Sequence, residues 1–386
     1  MKRLKHFSIL FVAVLALLLL ITPKAEAATV ASGTCGANGD NLTWILDDQG
    51  TLTISGTGAM QDYEWNRRPW SYSITSVIIE NGVTNIGDYA FYSSSALHSV
   101  SIGNGVVDIG DYAFMQCTKL TTIEIPDGVT TIGTGAFANC KSLETISVPD
   151  SVLNIGDSAF HQTAWYDNQP DGLVYIGKIA YRYKGSSCPE IVEIREGTVV
   201  IAPRAFMHRY TLRTVVIPDS VMTIGDEAFS NAGITTIDLS ENLVFIGSQA
   251  FCSTNLTTIK LPDKLTTIGQ YAFGGSKLTG VLTIPDGVTI IDDSAFSSCS
   301  GLVSVIIGCN VEFIGQSAFF CQNLKTITFT GSVPNGEKWF DGGSSQVYAL
   351  AFYPENDSSW ENAEKKNSWW GYFVATEHYR SSCCRW

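Results

Sequence analysis

The chain has 386 residues, with 24 Lys and Arg against 37 Asp and Glu, for a formal net charge of −13. That sign excludes nucleic acid and anionic membrane as partners, because both are polyanions that need a basic surface. Only 16% of residues are charged, below the roughly 25% of ordinary domains, so Thr, Ser, Asn and Gly must cover the surface, as suits a β-rich extracellular protein.

Residues 1–27 read as a secretory signal peptide. Lys2, Arg3 and Lys5 precede an apolar run from Ile9 to Ile21, and Ala25-Glu26-Ala27 forms an A-x-A cleavage site. The run is short for a bilayer span, and no second one follows, so no membrane insertion is expected once the signal is gone. Cleavage after Ala27 leaves 20 basic (24 − 4) and 36 acidic (37 − 1) residues, a net charge of −16. Residues 28–73 form an N-terminal β-rich capping segment. Within it "LTWILDDQGTLTISG" alternates like two strands joined in a hairpin at Asp47-Asp48-Gln49-Gly50. Such a hairpin would seal an otherwise open sheet edge.

Residues 74–330 repeat. "IGDYAF" occurs at Ile86–Phe91 and at Ile109–Phe114, and near-copies place phenylalanines at 91, 114, 137, 160, 206, 229, 251, 273, 296 and 319. The spacing is 22 or 23 residues except for one gap of 46, and a fixed period of this kind marks a solenoid. In "LTTIEIPDGVTTIGTGAF", Leu120, Ile123 and Ile125 supply the buried side of a short strand. Pro126-Asp127-Gly128 makes a turn, and Val129 and Ile132 return to the core. The following "TGAFANC" reads as a short helical or 3₁₀ segment laying Phe137 inward. Asp88, Asp111, Thr134, Asp157, Asp226, Ser248 and Asp293 recur two residues after the motif Ile, where helix N-caps belong. A calcium ladder is the rival reading, weakened by Pro203, Gln270 and Gln316 at the same place. Stacked coils should lie about 4.8 Å apart, the spacing of paired strands. Inside the long gap, residues 164–190 form a variant unit in which Ile176-Gly177-Lys178-Ile179-Ala180-Tyr181 is a degenerate copy.

The stretch "LTTIEIPDGVTTIGTGAFANCKSLETISVPDSVLNIGDSAF" resembles the BspA-type leucine-rich repeat family, whose unit is L-x-x-I-x-I-P-x-x-V-x-x-I-G-x-x-A-F-x-x-C. The likeness covers roughly 74 to 330. The flanks "SGTCGANGDNLTWILDDQGTLTISGTGAM", "AWYDNQPDGLVYIGKIAYRYKG" and "AFYPENDSSW" are similar to that family's start, mid-array insertion and closing segment. The family implies a secreted or surface-exposed bacterial protein used in adhesion and protein binding. The expected fold is therefore an α/β-type, β-rich repeat solenoid. It is a leucine-rich repeat array with parallel strands on one face, short helical or 3₁₀ turns on the other, and β-rich terminal caps.

Residues 331–386 hold Trp339, Trp360, Trp369, Trp370 and Trp386. They read as an aromatic-rich C-terminal cap, with a sugar-stacking platform at Trp369 and Trp370 as the alternative. Elsewhere, His98, His161, His208 and His378 are scattered. No H-E-x-x-H, G-x-S-x-G or phosphate-binding loop occurs, so no catalytic, cofactor or metal residue is singled out. Cys117, Cys140 and Cys299 fall three residues after the motif Phe and read as small buried hydrophobes, although Cys117 and Cys140 are near enough in coil terms for a bridge.

Outward positions on the strands offer a recognition surface. A first row carries hydroxyls, including Thr122, Thr145, Thr214, Thr236 and Thr258, and a second row varies, including Glu124, Ser147, Asp238 and Lys260. These residues, with Trp369 and Trp370, are the candidate ligand contacts. The reading is a non-catalytic extracellular binding or adhesion protein whose partner is an extracellular protein or cell-surface ligand. Carbohydrate binding through the C-terminal aromatics is the alternative, and an enzyme with a site in the non-repeat ends is a second.

Overall fold

The computed structural model describes residues 27–342, 345–346, 349–355, 357–362 and 373–376. It shows a β-solenoid of about 13 coils. Strands β1 (Thr29–Gly36), β2 (Gly39–Asp47) and β3 (Thr51–Gly56) form an antiparallel meander. The hairpin turn falls at Asp47–Gly50, where Asp47 accepts the N–H groups of Gln49 and Thr51. β3 then pairs parallel with Ser76–Ile79, so the meander passes directly into the array.

Each regular coil contributes two short strands. One carries the outward rows, as in Thr122–Glu124 beside Thr145–Ser147. The other ends on the motif Ile, as in Thr131–Ile132 between Asp108–Ile109 and Asn154–Ile155. This second ladder is the more continuous. Its C-terminal part runs unbroken from Ile179–Lys184 through seven strands to Phe313–Ile314. The motif phenylalanines form a column, with rings stacked at 5.2 Å and 3° for Phe114 on Phe137 and at 5.1 Å and 2° for Phe273 on Phe296. All ten are fully buried. At the N-terminal end Trp70 closes the column, lying on Phe91 at 5.6 Å and donating its indole N–H to the Ala90 carbonyl.

The expected helical turns and α/β character are not found. Among the described residues the helices are Ala164–Asp167, in the variant unit, and a 3₁₀ turn at Ser358–Asn362. The reason lies in the A-F segment. Residues two before each Phe, and two after every one but Phe319, take positive φ, such as Tyr112 (56°) and Gln116 (64°), a choice that costs roughly 1–2 kcal/mol for a non-glycine. In return, alternate N–H groups leave the coil. Phe114 donates to Ala136 at 2.7 Å and Gln116 to Ala138 at 2.9 Å, while Met115 and Cys117 donate back to Tyr112 and Phe114. A helix would keep all four bonds within itself.

The recurrent Asp is therefore not a helix cap. Its Oδ1 accepts the backbone N–H of the equivalent residue one coil on: Asp88 from Asp111, Asp111 from Thr134, Asp226 from Ser248 and Asp293 from Gln316, at 2.6–2.7 Å. Glycine precedes Asp88, Asp111 and Asp226 because the coils meet there. A Cβ on Gly133 would lie 2.6 Å from the Asp111 nitrogen. The thiols also act between coils, with Cys117, Cys140, Cys299 and Cys321 donating to the carbonyls of Phe91, Phe114, Phe273 and Phe296 at 3.1–3.2 Å. Cys117 and Cys140 are free thiols, so the bridge their spacing permits is not made.

Candidate functional site

The outward rows divide into blocks that differ in how much of their chemistry is already used. Ser76 and Ser99 share a hydroxyl hydrogen bond at 2.7 Å, as do Thr326 and Ser304, and Thr214 and Thr236 stand at 3.4 Å. Those hydroxyls support the sheet. Thr122, Glu124, Thr145 and Ser147 are all exposed, and among the described residues their side chains make no hydrogen bond or ion pair. Thr122 stands opposite Thr145 and Glu124 opposite Ser147, over the inward-facing Ile123 and Ile146.

Beside this block the first ladder lapses. Ser99–Ile102 closes one sheet and Thr122–Glu124 opens the next, while the second ladder stays paired behind them from Asn85–Ile86 to Asp108–Ile109 to Thr131–Ile132. The lapse leaves a shallow, mainly polar groove of about 480 Å³ lined by Ser101, Asn104, Glu124, Asp127, Ser147 and Pro149 among others. Ser101, Asn104 and Asp127 were not among the sequence-derived contacts. The signal was present, since the P-D-G turn sets Asp127 beside the outward Glu124.

The remaining candidates are placed differently. Thr214, half-buried, and Thr236 and Asp238, exposed, sit on a separate sheet of three strands, Ile191–Glu193, Thr214–Val216 and Thr236–Asp238. Thr258 and Lys260 are not on a strand, because residues 254–262 take no part in the ladder. Lys260 is engaged with Glu241 at 2.7 Å, and that hydrogen bond raises its pKa. The outward face from Glu124 to Lys260 is thus not one row. Trp369 and Trp370 lie outside the described residues. Trp339 and Trp360 are buried against Phe329, at 5.7 and 4.6 Å.

Two further features escaped sequence reading. Asp88 and Asp108 have raised pKa values, first through burial and then through neighbouring carboxylates that include Asp62 and Asp111. On the second ladder, Phe245, Ile290 and Phe313 stand exposed in one register column. Among the described residues no cluster of His, Cys, Asp and Glu suits a metal ion, and no helix is long and apolar enough to cross a membrane.

The family described as BspA type leucine rich repeat region matches in six copies, over residues 69–184, 174–281 and 244–345. These windows join into 69–345, well over half of the 386 residues. The chain belongs to this family. Among solved structures, it is similar to a leucine-rich cell surface protein from Faecalibacterium prausnitzii, at 25% identity over 78% of this chain and 95% of that one, with a TM-score of 0.32. A leucine-rich repeat protein from Eubacterium ventriosum is also 25% identical, over 82% and 96%, with a TM-score of 0.38. The pneumococcal vaccine antigen PcpA matches at 16% identity over 88% and 98%, with a TM-score of 0.38. Comparison with curated proteins gives no match. The BspA-type assignment rests on the repeat itself, whose consensus Ile, Gly, Ala and Phe now each have a contact between coils.

Proposed function

We propose that this BspA-type protein is an exported, non-catalytic binding or adhesion protein, and that it holds an extracellular protein ligand on the strand face around Thr122–Ser147. The observation that carries the reading is the contrast along that face. Ser76 with Ser99, Thr214 with Thr236, Ser304 with Thr326 and Lys260 with Glu241 pair on this face, whereas Thr122, Glu124, Thr145 and Ser147 sit together on paired strands with no side-chain partner among the described residues. A fixed backbone lowers the ordering cost of association. Glu124 and Asp127 at the rim of the groove favour a ligand segment that carries Lys or Arg. The signal-like N-terminus and the net charge of −16 after its removal (20 − 36) support export and a cationic partner.

The test is capture of the mature protein on a panel of immobilised extracellular-matrix proteins, with Glu124→Lys/Asp127→Lys beside wild type. Reversal of both charges should weaken capture about tenfold and remove its salt dependence. Equal capture by both forms would take the groove out of the function. No capture by wild type from any matrix protein would overturn the adhesion reading.

A further inference from the structure

Both ladders and the ring column are interrupted together at one place. The second ladder of the N-terminal half ends at Asn154–Ile155, and that of the C-terminal half begins with the hairpin Gly172–Ile176 and Ile179–Lys184. The first ladder stops at Thr145–Ser147 and resumes at Ile191–Glu193. The ring column breaks as well, since Phe160 meets Tyr181 edge-on, at 6.3 Å and 77°. The apolar core is not cut at this point: the first cluster of buried residues, from Cys35 to Ala202, crosses the junction to include Ile176, Ile179 and Tyr181, and the second runs from Ala180 to Trp360. Among the described residues, one backbone hydrogen bond joins 141–162 to 164–184, from Trp165 N–H to the Leu143 carbonyl at 2.7 Å.

Side chains replace the missing main-chain bonds. The Phe160 N–H donates to the Tyr181 hydroxyl at 2.9 Å. Asp157 sits between two guanidinium groups: Arg182 on the hairpin bonds its Oδ1, and Arg204, on the coil beyond, bonds its Oδ2 at 2.7 Å. Arg204 is held in turn by Glu227 at 2.7 Å. Asp157 and Arg182 are each only 20% exposed, so water screens their attraction little, while Arg204 is 41% exposed. This chain of charges reaches from the last regular coil of one half, across the hairpin, into the other.

We propose that the junction between Asp157 and Tyr181 is a hinge between two half-solenoids, latched by Asp157 through its simultaneous grip on Arg182 and Arg204. Each half keeps its own ladders, so opening the latch lets the halves shift over the apolar contacts of Ile176, Ile179 and Tyr181 without breaking main-chain pairing in either. The Tyr181–Phe160 and Trp165–Leu143 bonds and the exposed Lys178–Asp150 ion pair, at 3.1 Å, remain as the tether. The exposed strands Thr122–Ser147 and Ile191–Asp238 lie on opposite sides of the hinge, so the latch sets their relative placement whatever either binds.

Single-molecule energy transfer on the full mature chain tests this. Azidophenylalanine labels at Lys119 and Lys325, both exposed, span the hinge, and labels at Glu196 and Lys325 lie within one half. In Asp157→Asn the hinge-spanning distance distribution should broaden about twofold while the within-half distribution stays as in wild type. Arg204→Gln, which leaves Arg182 on Asp157, should broaden it less. Wild type in about 1 M NaCl should broaden partway, because only the exposed arm of the latch is screened. Should Asp157→Asn fail to fold, the other two arms carry the test. Equally narrow distributions for both label pairs in Arg204→Gln and at high salt would overturn the hinge, as would broadening of the within-half pair alone.

Discussion

Phe137 donates its backbone N–H to the Ala159 carbonyl of the next coil at 2.8 Å, and Phe160 donates its own to the Tyr181 hydroxyl at 2.9 Å. The positions are equivalent, yet in one case the acceptor is main chain and in the other a side chain. Around Phe137 any sequence that keeps the Phe, the Gly and the turn geometry makes the same bonds. Around Tyr181 the bonds depend on one phenol and one carboxylate. Regular coils therefore tolerate change at outward positions, and the variant coil does not. Burial pushes the Tyr181 phenol above its ordinary pKa, against the opposing pull of the Phe160 N–H that its oxygen accepts.

The sharpest way to break this comparison is to remove a ring. Phe137→Ala empties a fully buried site in the column and should lower unfolding free energy by about 3–5 kcal/mol in denaturant titrations. Tyr181→Phe keeps the ring but strands the Phe160 N–H, and should cost about 1–3 kcal/mol. A silent Tyr181→Phe would mean that the hydroxyl is no substitute for a backbone acceptor. Asp293→Ala removes one link of the carboxylate ladder, from Gln316, and should cost about 1 kcal/mol.

A smaller effect has the opposite sign. The Asp108 carboxyl, raised by burial and by Asp88, Asp111 and Asp62, binds a proton more readily in the folded chain than in the unfolded one. Its contribution to stability falls as pH rises through that raised value, and the cost is in place at neutral pH. Asp108→Asn should therefore raise the calorimetric midpoint by about 1 °C at about pH 7 and leave it unchanged near pH 3, below the unfolded carboxyl value. Smallest of all, Lys260→Ala should leave the midpoint where it is, since both partners in its pair with Glu241 are largely exposed.

The repeat period, the buried Phe, the P-D-G turns and the first strand were legible because they rest on side-chain alternation, which a sequence displays directly. The A-F segment was not. Asp88 before Tyr89-Ala90-Phe91 has the composition of a capped helix. Its actual conformation depends on positive φ at Tyr89 and Ser93, residues that carry no glycine signal. The second ladder was missed because each rung is two or so residues long, too short to show alternation. For the candidate contacts, exposure of Thr122, Glu124, Thr145 and Ser147 followed from the pattern. The lapse at 254–262 depends on backbone pairing between coils, which has no local signature, and it separates Thr258 and Lys260 from the rest.

The inter-coil bonds have one more consequence. Each regular unit presents to its successor the same carbonyls, carboxylate and ring face that it received from its predecessor. A tandem copy of 23 residues spliced in after Phe114 would find its acceptors waiting and leave a matching set behind. Gene duplication can thus lengthen or shorten the molecule one rung at a time without rewriting either end, while the stretch from Asp157 to Arg204 is inherited whole or not at all.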